Sequence, residues 1–298
     1  MLKNLGLRLL GSLVLLFVVP TITFFLQGGG TSNIARSVLG LTATQSQVDA
    51  LNHQLGLDQP LWQRYFGWLG GAVHGDFGLS YTTQQPVQDI LAPRLGVSLS
   101  LIIGALLVFT IVGMLLGVIS ATGNRIVGRV VDAVSTVGIA VPNFWLAVIL
   151  IAVFAVNLNL LPATGYVDPS DDPGLWLASL VLPVIALAFA GITAVAKQTR
   201  DQMLLSIASP YARSLRANGA SEFSLIYKHA LRNAAAPVVT VLGVIFVGAL
   251  SGSVIVENIF VLPGLGSQAL QSTLQHDVPV IQGISVYFIV IVVIVNVL

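Results

Sequence analysis

Six long runs without a charged side chain constrain this chain more than any other feature of its sequence. A transmembrane helix needs about 20 mostly apolar residues, because it must cross about 30 Å of hydrocarbon. The runs of about this length or longer are Leu9–Leu26, Val97–Thr122, Ala133–Asn157, Trp176–Ala196, Ala234–Val256 and Val278–Leu298. They predict an all-α polytopic membrane protein with six transmembrane helices.

The composition indicates the same class. Of the 298 residues, 55% are hydrophobic and 8% are charged, whereas a soluble domain carries about 25% charged residues. The chain has no cysteine, which excludes disulfides, cysteine-ligated zinc and iron–sulfur clusters. Its basic residues flank apolar runs without interleaved aromatic side chains, so nothing indicates a nucleic-acid partner.

The first run has a second interpretation. It follows a short basic segment with Lys3 and Arg8, and a secretory signal peptide begins in the same way. The apolar part of a signal peptide is typically shorter and ends in a small-residue cleavage site, which Gln27–Gly30 does not provide. We therefore favour an uncleaved first transmembrane helix. The sequence ends inside the sixth run without a basic flank, and we expect a cytoplasmic tail beyond Leu298.

The distribution of lysine and arginine predicts the orientation, because cytoplasmic loops are enriched in both. With the N-terminus inside, the inner segments hold Lys3, Arg8, Arg125, Arg129, Lys197, Arg200, Arg213, Arg216, Lys228 and Arg232. The outer segments hold only Arg36, Arg64 and Arg94, all in the long first loop. The loops Leu158–Leu175 and Glu257–Asp277 hold neither lysine nor arginine. We expect both termini in the cytoplasm.

A polar region between the first two runs divides the chain. Thr44 and Gln47 have the spacing of a capping box, which predicts the start of a first helix. A second, amphipathic helix follows, and it is rich in aromatic residues, which are typical of a membrane interface. These aromatic residues are Trp62, Tyr65, Phe66 and Trp68. We predict three parts: residues 1–27 with the first transmembrane helix, 28–96 as a helical extracytoplasmic insertion, and 97–298 as the core with the remaining five helices.

The segment Ser209–Pro237 is the one long basic amphipathic stretch of the chain. Ser209 is a good N-cap, because its hydroxyl can accept from a free backbone N–H of the first turn. Pro210 fits the first helical position, where its missing N–H costs nothing. Asn218 and Gly219 can end this helix, since glycine enters the left-handed conformation without a Cβ clash.

A second short helix is predicted after this corner. Ser221 can cap it, and it would run from Glu222 to about Asn233. Its apolar side would hold Phe223, Ile226, Tyr227, Ala230 and Leu231, and its polar side Ser224, Lys228 and Arg232. On physical grounds alone two interpretations stay open: a basic helix lying on anionic lipid, or a cytoplasmic docking element for another protein.

The same segment resembles the cytoplasmic loop of ABC importer permeases, whose loose pattern is EAA, three residues, Gly, nine residues, then hydrophobic-x-Leu-Pro. Gly219 matches the glycine, but Arg213–Leu215 replaces EAA and the ending His229–Arg232 has no proline. With these departures, the segment is similar to the same loop in the dipeptide/oligopeptide/nickel branch, where the run YxRTARAKG…HALRNAxxPVVT is usual. The residues that match that run are Tyr211, Arg213, Ala217, Gly219, His229–Asn233 and Pro237–Thr240, whereas Leu215 and Asn218 depart from it.

Three other places carry the same resemblance. They are Leu55–Tyr81, the pair Pro142–Trp145 with Leu160–Gly165, and Asn258–Gly266. Together with the basic segment they extend the resemblance over nearly the whole chain. It implies the permease subunit of a binding-protein-dependent ABC importer, with 97–298 as the permease core and coupling helices at about 209–233, between the fourth and fifth transmembrane helices.

The resemblance also implies partners and a location. The chain would sit in a bacterial inner membrane with a second homologous permease, two P-loop ATPase subunits, an extracytoplasmic substrate-binding protein and membrane lipid. ATP and Mg would be bound by the ATPases, and no cofactor by this chain. The residues implied to dock an ATPase are Tyr211, Arg213, Arg216, Ala217, Gly219, Ala220 and Glu222. Short peptides are the favoured substrate, with nickel and glutathione as alternatives.

The sequence holds no convincing catalytic pattern. It lacks G-x-x-x-x-G-K-[ST], so it has no P-loop for ATP, and it lacks H-E-x-x-H. Its four histidines are scattered, which argues against a metal site. An ion-coupled secondary transporter is the less favoured alternative, because no charged residue interrupts the second to sixth runs. A membrane-embedded enzyme would need a nucleophile–base pair or a carboxylate pair in the spans, and neither is found.

Polar residues in or at the ends of the spans are candidates for a translocation path, because unpaired polar groups are costly in hydrocarbon. The candidates are Asn143, Thr193, Ser251, Ser253 and Glu257. Hydrogen bonding between or within helices is the alternative for each of them.

Overall fold

The computed structural model describes residues 2–28, 31–40 and 42–297, and helices dominate this part of the chain. The α-helices are α1 Leu2–Gly28, α2 Thr31–Leu39, α3 Gln45–Gln54, α4 Leu61–Ala72, α5 Val87–Thr122, α6 Arg125–Ala140, α7 Asn143–Leu150, α8 Pro173–Ala208, α9 Pro210–Ala217, α10 Leu231–Ile259, α11 Leu265–Leu274 and α12 Val278–Val297. Two π-helical segments, Ile151–Asn157 and Ser224–Ala230, continue α7 and precede α10.

Several helices are long and apolar enough to cross a bilayer. They are Val87–Thr122, Pro173–Ala208, Ser224–Ile259 and Val278–Val295, and the bent pair Arg125–Gly138 and Asn143–Asn157 makes a fifth if it counts as one span. In α1, the part whose side chains the structure describes contributes a shorter apolar stretch, Val14–Gln27. The prediction of an all-α polytopic membrane protein is confirmed, and the sixth span stays a prediction.

The third predicted span differs most from the structure. We expected one helix over Ala133–Asn157. Instead α6 begins at Arg125, because the Asn124 side chain accepts from the Val127 backbone N–H at 2.9 Å. The two parts of the span are bent by 103°. Pro142 lies between them as the N-cap of α7, and a proline cannot donate the hydrogen bond that would continue the first helix.

The fourth and fifth predicted spans are longer than their apolar runs. The run Trp176–Ala196 lies inside α8, which extends to Ala208. The run Ala234–Val256 lies inside a continuous helix over Ser224–Ile259. Hydropathy marks only the part of a helix that suits lipid, whereas backbone hydrogen bonding continues into water. The bounds of these two spans were therefore predicted too short.

The chain divides into two compact units, Met1–Val97 with Pro263–Leu298, and Ser98–Leu262. The predicted division at residues 27 and 96 stays a prediction. A core in the first unit is formed by Phe77, Val87, Leu91, Leu265, Val280 and Ile284. In this core Gly283 is required by close approach, because a Cβ there would come within 2.8 Å of Leu91 and Val87 side-chain carbons.

A buried carboxylate ties the first unit together. Asp277 precedes α12 and is 2% exposed. It accepts from the Ser80 hydroxyl at 2.5 Å, the Tyr81 backbone N–H at 3.0 Å and the Thr82 backbone N–H at 3.4 Å. We call these four residues the Asp277 cluster. Because a buried carboxylate is costly unless hydrogen-bonded, these contacts hold the loop before α5 against the start of α12.

The second unit is built around α8, which packs against α6, α7 and α10. Its packing against α5 is close at Gly117, where a Cβ would lie 2.5 Å from the Thr199 Cβ. An ionic contact joins α6 to α8, since Asp132 lies 3.0 Å from Arg200 and 3.5 Å from Lys197. Asp132 lies inside α6, although the apolar run of the third predicted span begins only at Ala133.

Candidate docking corner

The predicted start of the first short helix is confirmed. The chain leaves α8 at Ser209, whose side chain accepts from the Ala212 backbone N–H at 3.2 Å. The same hydroxyl donates to the Ser206 carbonyl at 2.7 Å. Pro210 is the first residue of α9. One serine therefore caps α9 and closes the last turn of α8, which fixes the angle between the two helices.

The sharp corner after α9 is also confirmed. Gly219 has φ +81°, a left-handed conformation that costs other residues free energy. Its N–H donates to the Arg216 carbonyl at 3.0 Å, and the Ala220 N–H donates to the Leu215 carbonyl at 3.0 Å. This pair of bonds is a Schellman motif, which satisfies the carbonyls at a helix end. We call the segment from Ser209 to Glu222 the Gly219 corner.

The second helix begins as predicted but does not end near Asn233. The Ser221 hydroxyl accepts from the Ser224 backbone N–H at 3.2 Å. The helix then passes through the π-helical segment Ser224–Ala230 into α10 and reaches Ile259. The corner is therefore joined directly to a long apolar helix rather than through a separate short one.

The predicted apolar side of this second helix is only partly correct. Phe223 and Tyr227 are 71% and 50% exposed, and their ring centroids lie 4.6 Å apart. Ala230 is buried as predicted, but so is Leu225, which the prediction had not placed on this side. The prediction assumed the 3.6-residue repeat of an α-helix, whereas the wider turn of a π-helix changes which side chains share a face.

An ion pair bridges the corner. The Arg216 Nε lies 2.6 Å from one Glu222 carboxylate oxygen and its Nη2 lies 3.2 Å from the other. This two-point geometry is the strong form of an arginine–carboxylate contact. The hydrogen bond from Arg216 holds the pKa of Glu222 below its usual value, and the same bond raises the pKa of Arg216. The pair connects the last turn of α9 to the first turn of the next helix.

Buried side chains and one polar contact hold the corner to the rest of the second unit. Ala212 in α9 and Leu225 in the next helix are 2% and 1% exposed, so each helix has a buried anchor near the corner. The Tyr211 hydroxyl lies 3.0 Å from the His229 Nδ1. The core below is formed by Val118, Met203, Ala230 and Ala234. The corner is therefore fixed by its caps, its ion pair and packing on its inner side.

Its outer side is open. Of the seven residues that the resemblance implied for ATPase docking, Ala220 is half-buried and the others are exposed: Tyr211, Arg213, Arg216, Ala217, Gly219 and Glu222. They lie on two consecutive helix ends that meet at one glycine. This arrangement can present a rigid, mostly polar surface to a partner, and the role of these residues stays a prediction.

The path candidates lie in different environments. Thr193 and Ser253 are 4% and 0% exposed, and their hydroxyls donate to the carbonyls of Ala190 and Leu250 in their own helices. Ser251 is exposed. The bonds of Thr193 and Ser253 correspond to the hydrogen-bonding alternative. The role of these residues in a path stays a prediction.

Two other path candidates lie where elements of the second unit meet. Asn143 is half-buried, and its amide nitrogen lies 3.1 Å from the position a Cβ would take at Gly252. Glu257 is 0% exposed and accepts from the Ser98 hydroxyl at 2.7 Å. The backbone carbonyl of Glu257 accepts from the Leu262 N–H at 2.8 Å. Glu257 therefore joins the end of α10 to α5 and to the turn that follows it.

Sequence reasoning did not find the ionic group of Asp132, Lys197 and Arg200, because its members come from separate helices. The available signal was Asp132 itself, the one acidic residue in the otherwise basic segment between the second and third apolar runs. Within the described part of the chain, no group of three or more histidine, cysteine, aspartate or glutamate residues could hold a metal ion.

The sequence matches two models of protein families. The model described as binding-protein-dependent transport system inner membrane component matches residues 113–298, and the model of the N-terminal part of such membrane components matches residues 1–102. Together they cover nearly the whole chain.

Curated relatives match over almost their full length. A putative peptide transport system permease protein of Brucella abortus is 37% identical over 98% of this chain and 93% of its own. The dipeptide transport system permease protein DppB of Lactococcus lactis is 38% identical over 97% and 91%. The glutathione transport system permease protein GsiC of Escherichia coli is 37% identical over 98% and 94%.

Proposed function

Because the chain belongs to the family of binding-protein-dependent transport system inner membrane components, we propose that it is the permease subunit of an ABC importer for short peptides. ATP hydrolysis in partner subunits would drive the transport. The observation that carries this proposal is the Gly219 corner, an exposed and rigid pair of helix ends joined to a long apolar helix.

The corner suits the transmission of force from an ATPase. Its backbone is closed by the Schellman motif at Gly219, and the Arg216–Glu222 pair spans it. Ser209 fixes its angle to α8. A disordered loop would absorb the motion of a docked ATPase, whereas this element would pass the motion to α8 and to the helix that ends at Ile259.

In the mechanism we propose, two P-loop ATPase subunits bind ATP and Mg and close on each other. Their motion displaces the corner through the docking residues Tyr211, Arg213, Arg216, Ala217, Gly219, Ala220 and Glu222. The permease helices then rock and open a central path alternately to each side. The chain would supply the path and the docking surface, and no catalytic step of its own.

The proposed setting is a bacterial inner membrane with the N-terminus and the corner in the cytoplasm, in accord with the lysine and arginine distribution. A second homologous permease would complete the path, and an extracytoplasmic binding protein would deliver the substrate. Peptides are favoured because relatives with this name match nearly the whole chain. Glutathione is a second candidate, since a relative named for it matches equally well.

Affinity purification of the tagged chain from its own host in mild detergent tests the assembly. We expect P-loop ATPases and a second polytopic permease to come with it. The same purification is repeated with a variant that carries Arg213→Glu and Arg216→Glu, which reverse two exposed charges at the corner. We expect it to lose the ATPases and to keep the second permease.

A stable, folded chain that repeatedly purifies alone would contradict the importer assignment. Loss of both partners in the charge-reversal variant would instead indicate unfolding, and a thermal unfolding measurement would distinguish this result from a specific loss of docking. Uptake of labelled di- and tripeptides or glutathione into vesicles with the full assembly then decides between the substrates.

A further inference from the structure

A cavity in the first unit is not used by the proposed transport mechanism. Its volume is about 410 Å³, and its walls come from α1, α3, α4, the loop before α5 and α12. Its lining combines apolar side chains, such as Phe24, Leu55 and Val278, with polar ones, such as Arg64 and Tyr81. A mixed wall of this kind suits a ligand with an apolar body and a polar group.

Arg64 gives the cavity its charge. None of the described residues that line the cavity is acidic, and no carboxylate in the described part of the chain forms an ion pair with Arg64. Its Nη2 lies 3.4 Å from the Tyr81 hydroxyl, and its guanidinium lies 5.9 Å from the centre of the Phe24 ring. These contacts leave its positive charge without a counterion.

Two hydrogen-bond donors on residues that line the cavity lack acceptors. The Arg64 Nη1 and the Trp68 Nε1 are buried atoms without a hydrogen-bond partner. An unsatisfied buried donor costs free energy, and an anion in the cavity would supply the acceptor. Arg64 as a whole is half-buried, so its guanidinium can turn towards the cavity on its flexible stem. The Gln282 side chain does not compete with an anion for these donors, because it is bound to α1. Its amide nitrogen donates to the Pro20 carbonyl at 3.2 Å, and its amide oxygen accepts from the Phe24 backbone N–H at 2.6 Å.

The surroundings favour a lipid as the source of the anion. On α4, Trp62 and Phe66 are 61% and 62% exposed, and such aromatic residues lie at the level of lipid headgroups. Phe24, which lies near the end of the apolar stretch Val14–Gln27 of α1, lines the cavity. Acyl chains can lie along this stretch while the headgroup enters the cavity.

We propose that this cavity binds the phosphate of an anionic phospholipid headgroup, with Arg64 and Trp68 as its donors. Guanidinium groups bind phosphate oxygens in a two-point geometry, and the indole N–H adds a third donor. The bound lipid would hold α1, α4 and α12 together within the first unit.

Native mass spectrometry of the purified assembly in detergent tests this site. The probes are phosphatidylglycerol, phosphatidylcholine and a tripeptide. We expect one phosphatidylglycerol to bind more tightly than the other probes, and Arg64→Gln to weaken it about tenfold, as expected for loss of a charged hydrogen bond. Arg36→Gln is the matched control, because Arg36 is exposed and does not line the cavity.

Two results would overturn the proposal. One is equal affinity for phosphatidylglycerol in the wild type, Arg64→Gln and Arg36→Gln. The other is Arg64-dependent binding of the tripeptide in place of the lipid, which would assign the cavity to a peptide carboxylate. If Arg64→Gln does not fold, Trp68→Phe removes the indole donor and keeps an aromatic ring, and we expect it to weaken lipid binding about threefold.

Discussion

The Asp277 cluster and the Gly219 corner each join two segments of the chain through a carboxylate, which is buried in the first and exposed in the second. Asp277 is buried and is held by a hydroxyl and two backbone N–H groups. At the corner, Glu222 is exposed and is held by one arginine. Burial makes each hydrogen bond of the first region hard to replace by water, whereas water and salt screen the exposed ion pair of the second and limit its contribution despite its two-point geometry. The corner therefore depends on its backbone geometry.

The largest effect is expected for Asp277→Ala. The change removes the acceptor of the Ser80 hydroxyl and of the Tyr81 and Thr82 N–H groups. We expect the free energy of unfolding to fall by about 3 kcal/mol, since unsatisfied buried donors are expensive. Thermal unfolding of the purified assembly measures the loss. Asp58→Ala is the control, because Asp58 is exposed, and equal effects of the two changes would contradict the comparison.

Glu257→Ala extends the comparison to a second buried carboxylate. Its side chain accepts from Ser98 at 2.7 Å, and we expect a loss of about 2 kcal/mol in the free energy of unfolding. A double-mutant cycle with Ser98→Ala isolates the contact between the two side chains. Strict additivity of the two changes would show that this hydrogen bond does not stabilise the fold.

Gly219→Val tests whether backbone geometry governs the corner. A β-branched residue opposes the left-handed conformation, and the cost is about 1 kcal/mol. We expect a small fall in stability and a much larger loss of peptide uptake relative to ATP hydrolysis by the reconstituted assembly. Gly219→Asn is the control, since asparagine tolerates this conformation. Normal uptake by Gly219→Val at normal protein levels would contradict the role of the corner.

The smallest effect is expected for Glu222→Gln, which removes the charge of the exposed pair. The pKa of Glu222 is lowered in the folded chain by the hydrogen bond from Arg216. The stabilisation that the ion pair gives to the folded chain is therefore fully present above pH 4.5, the ordinary pKa of glutamate. It is lost as the pH falls through the lower pKa that Glu222 has in the folded chain.

Melting temperatures of the wild type and Glu222→Gln between pH 3 and pH 7 check this dependence. We expect a small difference at neutral pH that shrinks in high salt and disappears in acid, where Glu222 is protonated. A difference that grows as the pH falls would reverse the sign of the linkage. A difference as large as that of Asp277→Ala would remove the contrast between the two regions.

Local sequence signals predicted the corner well. Ser209, Pro210, Gly219 and Ser221 each act on backbone groups within four residues, so their effects can be read from the sequence. The all-helical membrane class followed from the apolar runs in the same way. Each of these signals depends on a short stretch of chain and on no distant partner.

The features that were missed depend on distant partners or on a changed helical repeat. The π-helical segment Ser224–Ala230 exposes Phe223 and Tyr227 against the expectation from an α-helical repeat. The bond between Ser80 and Asp277 joins residues far apart in sequence. Nothing near either residue predicts such a contact, and the same applies to Asp132 with Arg200 and to the cavity around Arg64.

The Asp277 cluster also determines which of the two units is completed last during protein synthesis. Ser80 and Asp277 are separated by 197 residues, and at about 5–20 residues per second a ribosome needs roughly 10–40 s to synthesise that distance. During this interval the Ser80 loop has emerged but lacks its carboxylate, and Leu91 lacks Val280 and Ile284, its neighbours in the core. The first unit, which contains the start of the chain, is therefore the last to be completed.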